Sequence, residues 1–231
     1  MAERKAFAAV RPRRNGSEKT FDFGNCAVVV AHPDDETLWA GGTILMHPDV
    51  RWTIATLCRK SDRDRAARFF QSLEYLGCHG EMGDLDDSPE QLPLLEDEVQ
   101  DTIMALLSSD RFDLIITHSF CGEYTRHKRH EEAARAVSGL WKSGKLSARQ
   151  MWMFAYEDGG GKKLPAPIRD ADLSVKLSDD VWQKKYYIIT KIYGFGPDSF
   201  EAKAAGREEA FWCFGFDDDV ERCLRNRSTE R

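Results

Sequence analysis

The sequence predicts an α/β fold with a mostly parallel sheet in a single domain, and three observations carry that expectation. Strand-like apolar runs alternate four or five times with helix-like patterns between residues 26 and 156, which is how successive βαβ units read in sequence. Two of the runs, 26–31 and 112–117, are almost continuously apolar, as strands buried on both faces are. At 231 residues, 42% hydrophobic and 31% charged, the chain can bury one sizeable core and has ordinary globular composition.

Residues 1–20 are polar and basic, with Arg11-Pro12-Arg13-Arg14-Asn15-Gly16 in the middle, and are expected as a flexible N-terminal arm ahead of a domain over 21–231. The first strand, 26–31, runs straight into His32-Pro33-Asp34-Asp35-Glu36. A helix follows, packed through Leu38, Trp39, Ile44 and Leu45. Gly41-Gly42 inside it costs helix stability, so a close approach of the backbone to the sheet is expected there. Residues 51–58 read as the second strand. Residues 62–76 form an amphipathic helix with Ala66, Phe69, Phe70, Leu73 and Leu76 on one stripe and Gly77 as its stop. The stretch 78–93 is irregular and acidic, with room for a short third strand.

Leu95, Val99, Ile103 and Leu106 mark the next helix, and 112–117 the next strand. The helix over 131–141 buries Ala133, Ala134, Val137, Leu140 and Trp141, which assigns Lys128, Arg129, Glu132 and Arg135 to its exposed face. Residues 151–156 read as a strand and 157–166 as a loop. Two further segments, 181–192 and 208–216, fit either helix or strand.

Composition narrows the function. A net charge of −6 argues against a dedicated nucleic-acid binder. No apolar run is long enough to span a bilayer, and the basic N-terminus lacks the apolar core of a signal peptide. The six cysteines contain no Cys-x-x-Cys pair and read as buried free thiols, which places the protein in the cytoplasm. A homo-oligomer is compatible with all of this. A dinucleotide site is not, because no Gly-x-Gly-x-x-Gly follows the first strand.

The chemistry gathers at two strand ends. One is His32-Pro33-Asp34-Asp35-Glu36; the other is Thr117-His118, followed by Gly122-Glu123-Tyr124-Thr125-Arg126-His127-Lys128-Arg129-His130. Ligands of open α/β sheets bind at the carboxyl ends of the strands, near the switch in strand order, so the two clusters meet if those strands are neighbours. His130 precedes the apolar stripe of its helix by three and four residues and points inward with it; His127 lies about a turn earlier. A catalytic zinc takes three His or carboxylate ligands and keeps a position for water. His32, Asp35 and His130 supply such a set, with Asp34 as general base and His127 as the group that protonates or stabilises. Two histidines and a carboxylate accept ferrous iron as well as zinc. The competing reading of Asp34, Asp35 and Glu36 is an ordinary acidic helix start. His118 is expected as a partner behind the ligands or as a substrate contact, and His47 and His79 as surface residues.

At these residues the sequence resembles the LmbE-like (PIG-L) family of zinc-dependent N-acetylglucosaminyl deacetylases. Ala31-His32-Pro33-Asp34-Asp35-Glu36 matches the family's first motif throughout. Leu114-Ile115-Ile116-Thr117-His118 and Gly122-Glu123-Tyr124 look like the lead-in to its second motif, and His127-Lys128-Arg129-His130 fits that motif's His-x-x-His. The family usually carries Pro-Asp between these histidines and one residue fewer after the tyrosine. The resemblance covers roughly residues 25–160. Beyond that, 185–193 and Arg207-Glu208-Glu209-Ala210-Phe211 are similar to the family's C-terminal part.

The resemblance implies a Rossmann-like sheet and a zinc-dependent amide hydrolase. The implied substrate is an N-acetylated amino sugar or glycoconjugate. His32, Asp35 and His130 are implied as metal ligands, Asp34 as general base and a cationic His127 as oxyanion stabiliser. Tyr124 stands where the family places a mobile tyrosine beside the substrate. A substrate-holding arginine is expected on the helix after the second strand, where Arg63, Arg65 and Arg68 compete; Arg65 and Arg68 are the candidates carried forward. Two rivals are a sugar-binding or regulatory protein without catalysis and a non-haem iron oxygenase, a class that typically sits on all-β jelly rolls.

Overall fold

The structure is a computed structural model that describes residues 21–222 apart from 108, 125 and 158–161. The expected arm, 1–20, lies outside the described residues. The chain runs β1 (Asn25–Val30), α1 (Asp35–Met46), β2 (Arg51–Cys58), α2 (Arg63–Leu76), β3 (His79–Leu85), α3 (Glu96–Leu106), β4 (Arg111–Thr117), α4 (Lys128–Ser143) and β5 (Ser147–Phe154). After it come β6 (Tyr156–Glu157), β7 (Ala166–Pro167), β8 (Leu173–Lys176), α5 (Asp179–Tyr187), a π-helical turn (Ile188–Ile192), α6 (Phe200–Ala204) and β9 (Glu208–Gly215).

Seven strands form one sheet in the order β3-β2-β1-β4-β5-β9-β8. The pairs from β3 to β5 are parallel, and β9 and β8 add antiparallel pairs at the far side. The fold is therefore the α/β, mostly parallel sheet that the alternation predicts, and Rossmann-like as the resemblance implies. Strand order reverses between β1 and β4, which pair directly with Val29 opposite Thr117.

Side chains alternate across a strand, and β1 shows why its run is apolar throughout. Cys26, Val28 and Val30 enter a core shared with α1, α2 and the π turn, while Ala27 and Val29 enter a second core with α3 and α4. Cys26 and Cys58 are fully buried, and burial pushes both thiols up to about 12. A thiol reagent at pH 8 should leave both unmodified in the native protein and label them after denaturation, as peptide mass mapping reads. Among the described residues no disulfide forms, and no helix is long and apolar enough to cross a membrane.

Three local expectations change, and one left open between helix and strand resolves. The stretch 78–93 holds a full seven-residue strand, β3. It forms the edge of the sheet with only Met82 and Gly83 buried, so it lacks the apolar signal of its neighbours. Phe70 is exposed, because it lies a residue beyond the α2 stripe that Phe69, Leu73 and Leu76 bury. Arg129 is 2% exposed rather than on a solvent face, and Glu132 is half-buried, because the segment after β3 folds over them. The 208–216 segment is strand β9, and 181–192 is helix α5 continued by the π turn.

Gly41-Gly42 does mark a close approach, and its partner is a side chain of the last strand. A Cβ on Gly42 would lie 2.4 Å from Leu177 and 3.0 Å from Glu209 Oε1. Gly42 N–H, Thr43 N–H and the Thr43 hydroxyl donate to Glu209 at 2.7, 2.8 and 2.7 Å, and Lys185 Nζ pairs with it at 2.7 Å. Both members of that ion pair are completely buried.

Candidate active site

The β1–β4 pairing brings the two reactive strand ends together. At the first, Asp34 holds φ at 125°, a region that non-glycine residues seldom occupy. Its carbonyl starts α1 by accepting from Thr37 and Leu38 N–H at 3.0 and 2.8 Å, but its carboxylate makes no capping bond. The acidic triplet is therefore more than a helix start. Asp34 turns its carboxylate to the cavity. Asp35 Oδ2 accepts from His32 N–H at 2.9 Å and Asp35 Oδ1 from Trp39 Nε1 at 3.1 Å. Glu36 is wholly buried and braces the turn, accepting from Thr37 and Tyr193 hydroxyls at 2.6 Å each and from Asp34 N–H at 3.0 Å.

His130, from the first turn of α4, reaches this group across the switch point. His32 Nδ1 lies 3.2 Å from Asp35 Oδ2 and 3.2 Å from His130 Nε2, and His130 Nε2 lies 3.4 Å from Asp35 Oδ2. Ligand atoms about 2.0–2.1 Å from a tetrahedral zinc are roughly 3.3–3.4 Å apart, so this triangle fits the shell of one such ion. The nearby His118 Nε2 is 3.5 Å from Asp35 Oδ2 but already accepts the Ala31 N–H at 2.9 Å. His118 is buried behind the triangle and does not line the cavity.

Glu123 holds both inner imidazoles. Its Oε2 lies 2.8 Å from His118 Nδ1 and 2.8 Å from His130 Nδ1, and its Oε1 accepts Ser119 N–H at 2.8 Å. Burial alone would raise the Glu123 pKa, but the two imidazoles outweigh it and bring it down to about 2. An ionised carboxylate only accepts, so His130 carries its proton on Nδ1 and turns a lone pair on Nε2 toward Asp35 and His32.

A cavity of about 310 Å³ opens beside the triangle, lined by His32, Asp34, Arg65, Tyr124, His127 and Phe200 among others. Burial and the neighbouring Asp35 carboxylate raise the Asp34 pKa well above the usual range. His127 stands edge-on to His32 with ring centres 4.8 Å apart. Burial, with the His130 and His32 imidazoles close by, pushes its pKa down to about 4. Its buried Nδ1 has no hydrogen-bond partner.

The two arginine candidates separate. Arg65 lies on Phe195, 4.8 Å from the ring centre, with Nη1 3.5 Å from Asp34 Oδ2 at the cavity wall. Arg68 does not line the cavity: its guanidinium binds Asp64 and donates to the Ile192 and Tyr193 carbonyls at 3.0 Å each. Tyr124 packs against Phe200 with ring centres 4.0 Å apart and planes tilted by 40°. His47 and His79 lie off the cavity. Sequence reasoning assigned no role to Arg59, Asp87, Phe200 or Glu201, all cavity residues, and none to Glu123. Glu123 stood in the second reactive stretch and offered a signal; the others reach the site only through tertiary contacts.

A parallel-sheet switch point that gathers two imidazoles and a carboxylate in ion-binding geometry defines the class, an α/β protein with a candidate mononuclear metal centre. Residues 27–141 match the family described as PIG-L, GlcNAc-PI de-N-acetylase, and the chain belongs to that LmbE-like family. No curated protein matches it. Among solved structures it is similar to the N,N'-diacetylchitobiose deacetylase of Pyrococcus horikoshii in complex with its inhibitor MPG, at 15% identity and TM-score 0.62, covering 84% of this chain and 85% of the other. It is also similar to GalB, the 4-carboxy-2-hydroxymuconate hydratase of Pseudomonas putida KT2440, at 17% identity and TM-score 0.55, covering 79% and 82%. The zinc-inhibited form of teicoplanin deacetylase Orf2 gives 12% identity and TM-score 0.57, covering 84% and 100%.

Proposed function

We propose that this protein is a metal-dependent hydrolase that removes the acetyl group from an N-acetylated amino sugar or glycoconjugate. One observation carries the reading: three donor atoms of His32, Asp35 and His130 within 3.4 Å of one another, beside Asp34 and His127 on the wall of a cavity. Family membership and the deacetylases among the structural neighbours support the same activity. A divalent ion held by the three residues supplies a Lewis acid for the amide carbonyl and brings the pKa of water toward neutrality.

The chain's own residues do the rest. Asp34 takes a proton from the attacking water, a task suited by its raised pKa; as the C–N bond breaks, a proton from Asp34 or His127 passes to the leaving nitrogen and acetate is released. Arg65 orients the Asp34 carboxylate from 3.5 Å. His127, with its pKa lowered and its buried Nδ1 without a partner, offers an N–H to the developing oxyanion. Tyr124 and Phe200 offer aromatic faces to a sugar ring. A volume of about 310 Å³ takes roughly one such ring, with the remainder of a glycoconjugate outside.

Treatment with a strong chelator should abolish acetate release, and added zinc or ferrous iron should restore it. His130→Ala should purify with little metal by elemental analysis. Full activity in the stripped protein would end the metal-dependent reading. Because a structural neighbour is zinc-inhibited, the titration should extend past one equivalent.

A second reading follows from the hydratase among the neighbours: the same base and ion can direct water onto an activated double bond. A panel holding N-acetyl sugars beside unsaturated 2-hydroxy acids separates the two by product. A role limited to binding leaves the convergent base and ligand set without a use, and a jelly-roll oxygenase is incompatible with the α/β sheet.

A further inference from the structure

The segment after β3 is fastened to the start of α4, and the fastening uses the two residues between the site histidines. Arg129 donates from Nη2 to the Leu92 carbonyl at 2.8 Å and to Asp86 Oδ2 at 3.2 Å, and from Nε to the Asp86 carbonyl. Lys128 Nζ reaches the Gln91 carbonyl, and Glu132 Oε1 accepts Leu94 N–H at 3.0 Å. These cations replace the Pro-Asp that the resembled family usually carries at this point.

The segment so held presents Asp87 to the metal triangle, with its side chain 7% exposed. Asp87 Oδ1 lies 3.2 Å from His32 Nε2 and accepts Gln91 Nε2 at 2.9 Å, while Oδ2 accepts Arg59 Nε at 2.7 Å. Both oxygens are therefore engaged within the protein. An ionised carboxylate only accepts, so His32 carries its proton on Nε2 and aims its Nδ1 lone pair at Asp35 and His130. The arrangement mirrors Glu123 behind His130.

We infer that Asp87, held in place by Arg129 and Lys128, is the positioning residue of His32: it fixes the tautomer and ring direction of that ligand, and the motif's own Lys-Arg pair holds it there. The inference rests on the metal-centre reading above. It gives Asp87, on the cavity wall beside His32, the task of holding that ligand, with both its oxygens engaged by protein donors and neither left to read substrate.

Zinc titrated into stripped protein against a competing chelator tests it. Asp87→Ala should bind zinc about 10–100-fold more weakly than the unaltered chain. Asp87→Asn, whose carbonyl still accepts the Nε2 proton, should recover most of the loss. Arg129→Gln should weaken zinc in the same direction and speed amide exchange over residues 86–94. If Asp87→Ala fails to fold, Arg129→Gln carries the test, and freed amides with unchanged zinc affinity would overturn the assignment. An Asp87→Ala protein that binds zinc normally but shows a raised KM would also overturn it, making Asp87 a substrate contact. Absence of zinc binding by the unaltered chain would overturn the metal-centre reading itself, and this inference with it.

Discussion

Asp34→Asn should lower amide hydrolysis by about 10²–10⁴-fold while the protein keeps its metal, since general acid–base groups contribute on that scale. Asparagine is the informative replacement. It retains the shape of the side chain and, like aspartate, tolerates positive φ better than other residues do, so it removes the base with little change to the turn. Alanine at φ 125° would add backbone strain and confuse the result. Asp34→Gly separates function from strain. It should be as inactive as Asp34→Asn and yet more stable in urea, because strained φ/ψ positions of this kind cost of order 1–3 kcal/mol. Activity within tenfold of the unaltered enzyme in Asp34→Asn would remove Asp34 from the mechanism, and metal lost along with activity would make it a ligand.

Lys185→Met should destabilise the fold by about 3–5 kcal/mol, the usual cost of leaving half of a buried ion pair. Glu209 would remain wholly buried, with three donors from Gly42 and Thr43 but no counter-charge. Against a typical total of roughly 5–15 kcal/mol, that is a large share. The neighbouring Lys184 offers the contrast, since its pair with Asp180 lies in solvent. Lys184→Met should leave the urea midpoint unchanged. Equal effects from the two lysines would show that Glu209 is stabilised by its hydrogen bonds alone.

What could be read in advance followed burial. The strand at 26–31 was legible because both its faces enter cores, and β3 was not, because an edge strand needs no apolar pattern. That His32, Asp35 and His130 meet is legible because dense charge at and after the ends of buried strands stands out. Arg65 and Arg68 could not be told apart: they lie three residues apart on α2, and carbonyls at 192 and 193 draw only one of them away from the cavity. Arg129 reads as exposed in sequence because its burial depends on a segment some forty residues earlier in the chain. The lowered His127 pKa likewise depends on neighbours whose distance no spacing reveals.

The anchoring of α1 separates two boundaries that are easily equated. The family match spans residues 27–141, but α1 inside it is finished by Leu177, Lys185, Tyr193 and Glu209 from beyond that span. The last third of the chain thus acts as a keel for the helix whose first turn bears Asp35 and follows Asp34. Recombining this protein with a relative at the edge of sequence similarity would part that helix from its ballast, and chimaeras are better joined where both pieces keep it.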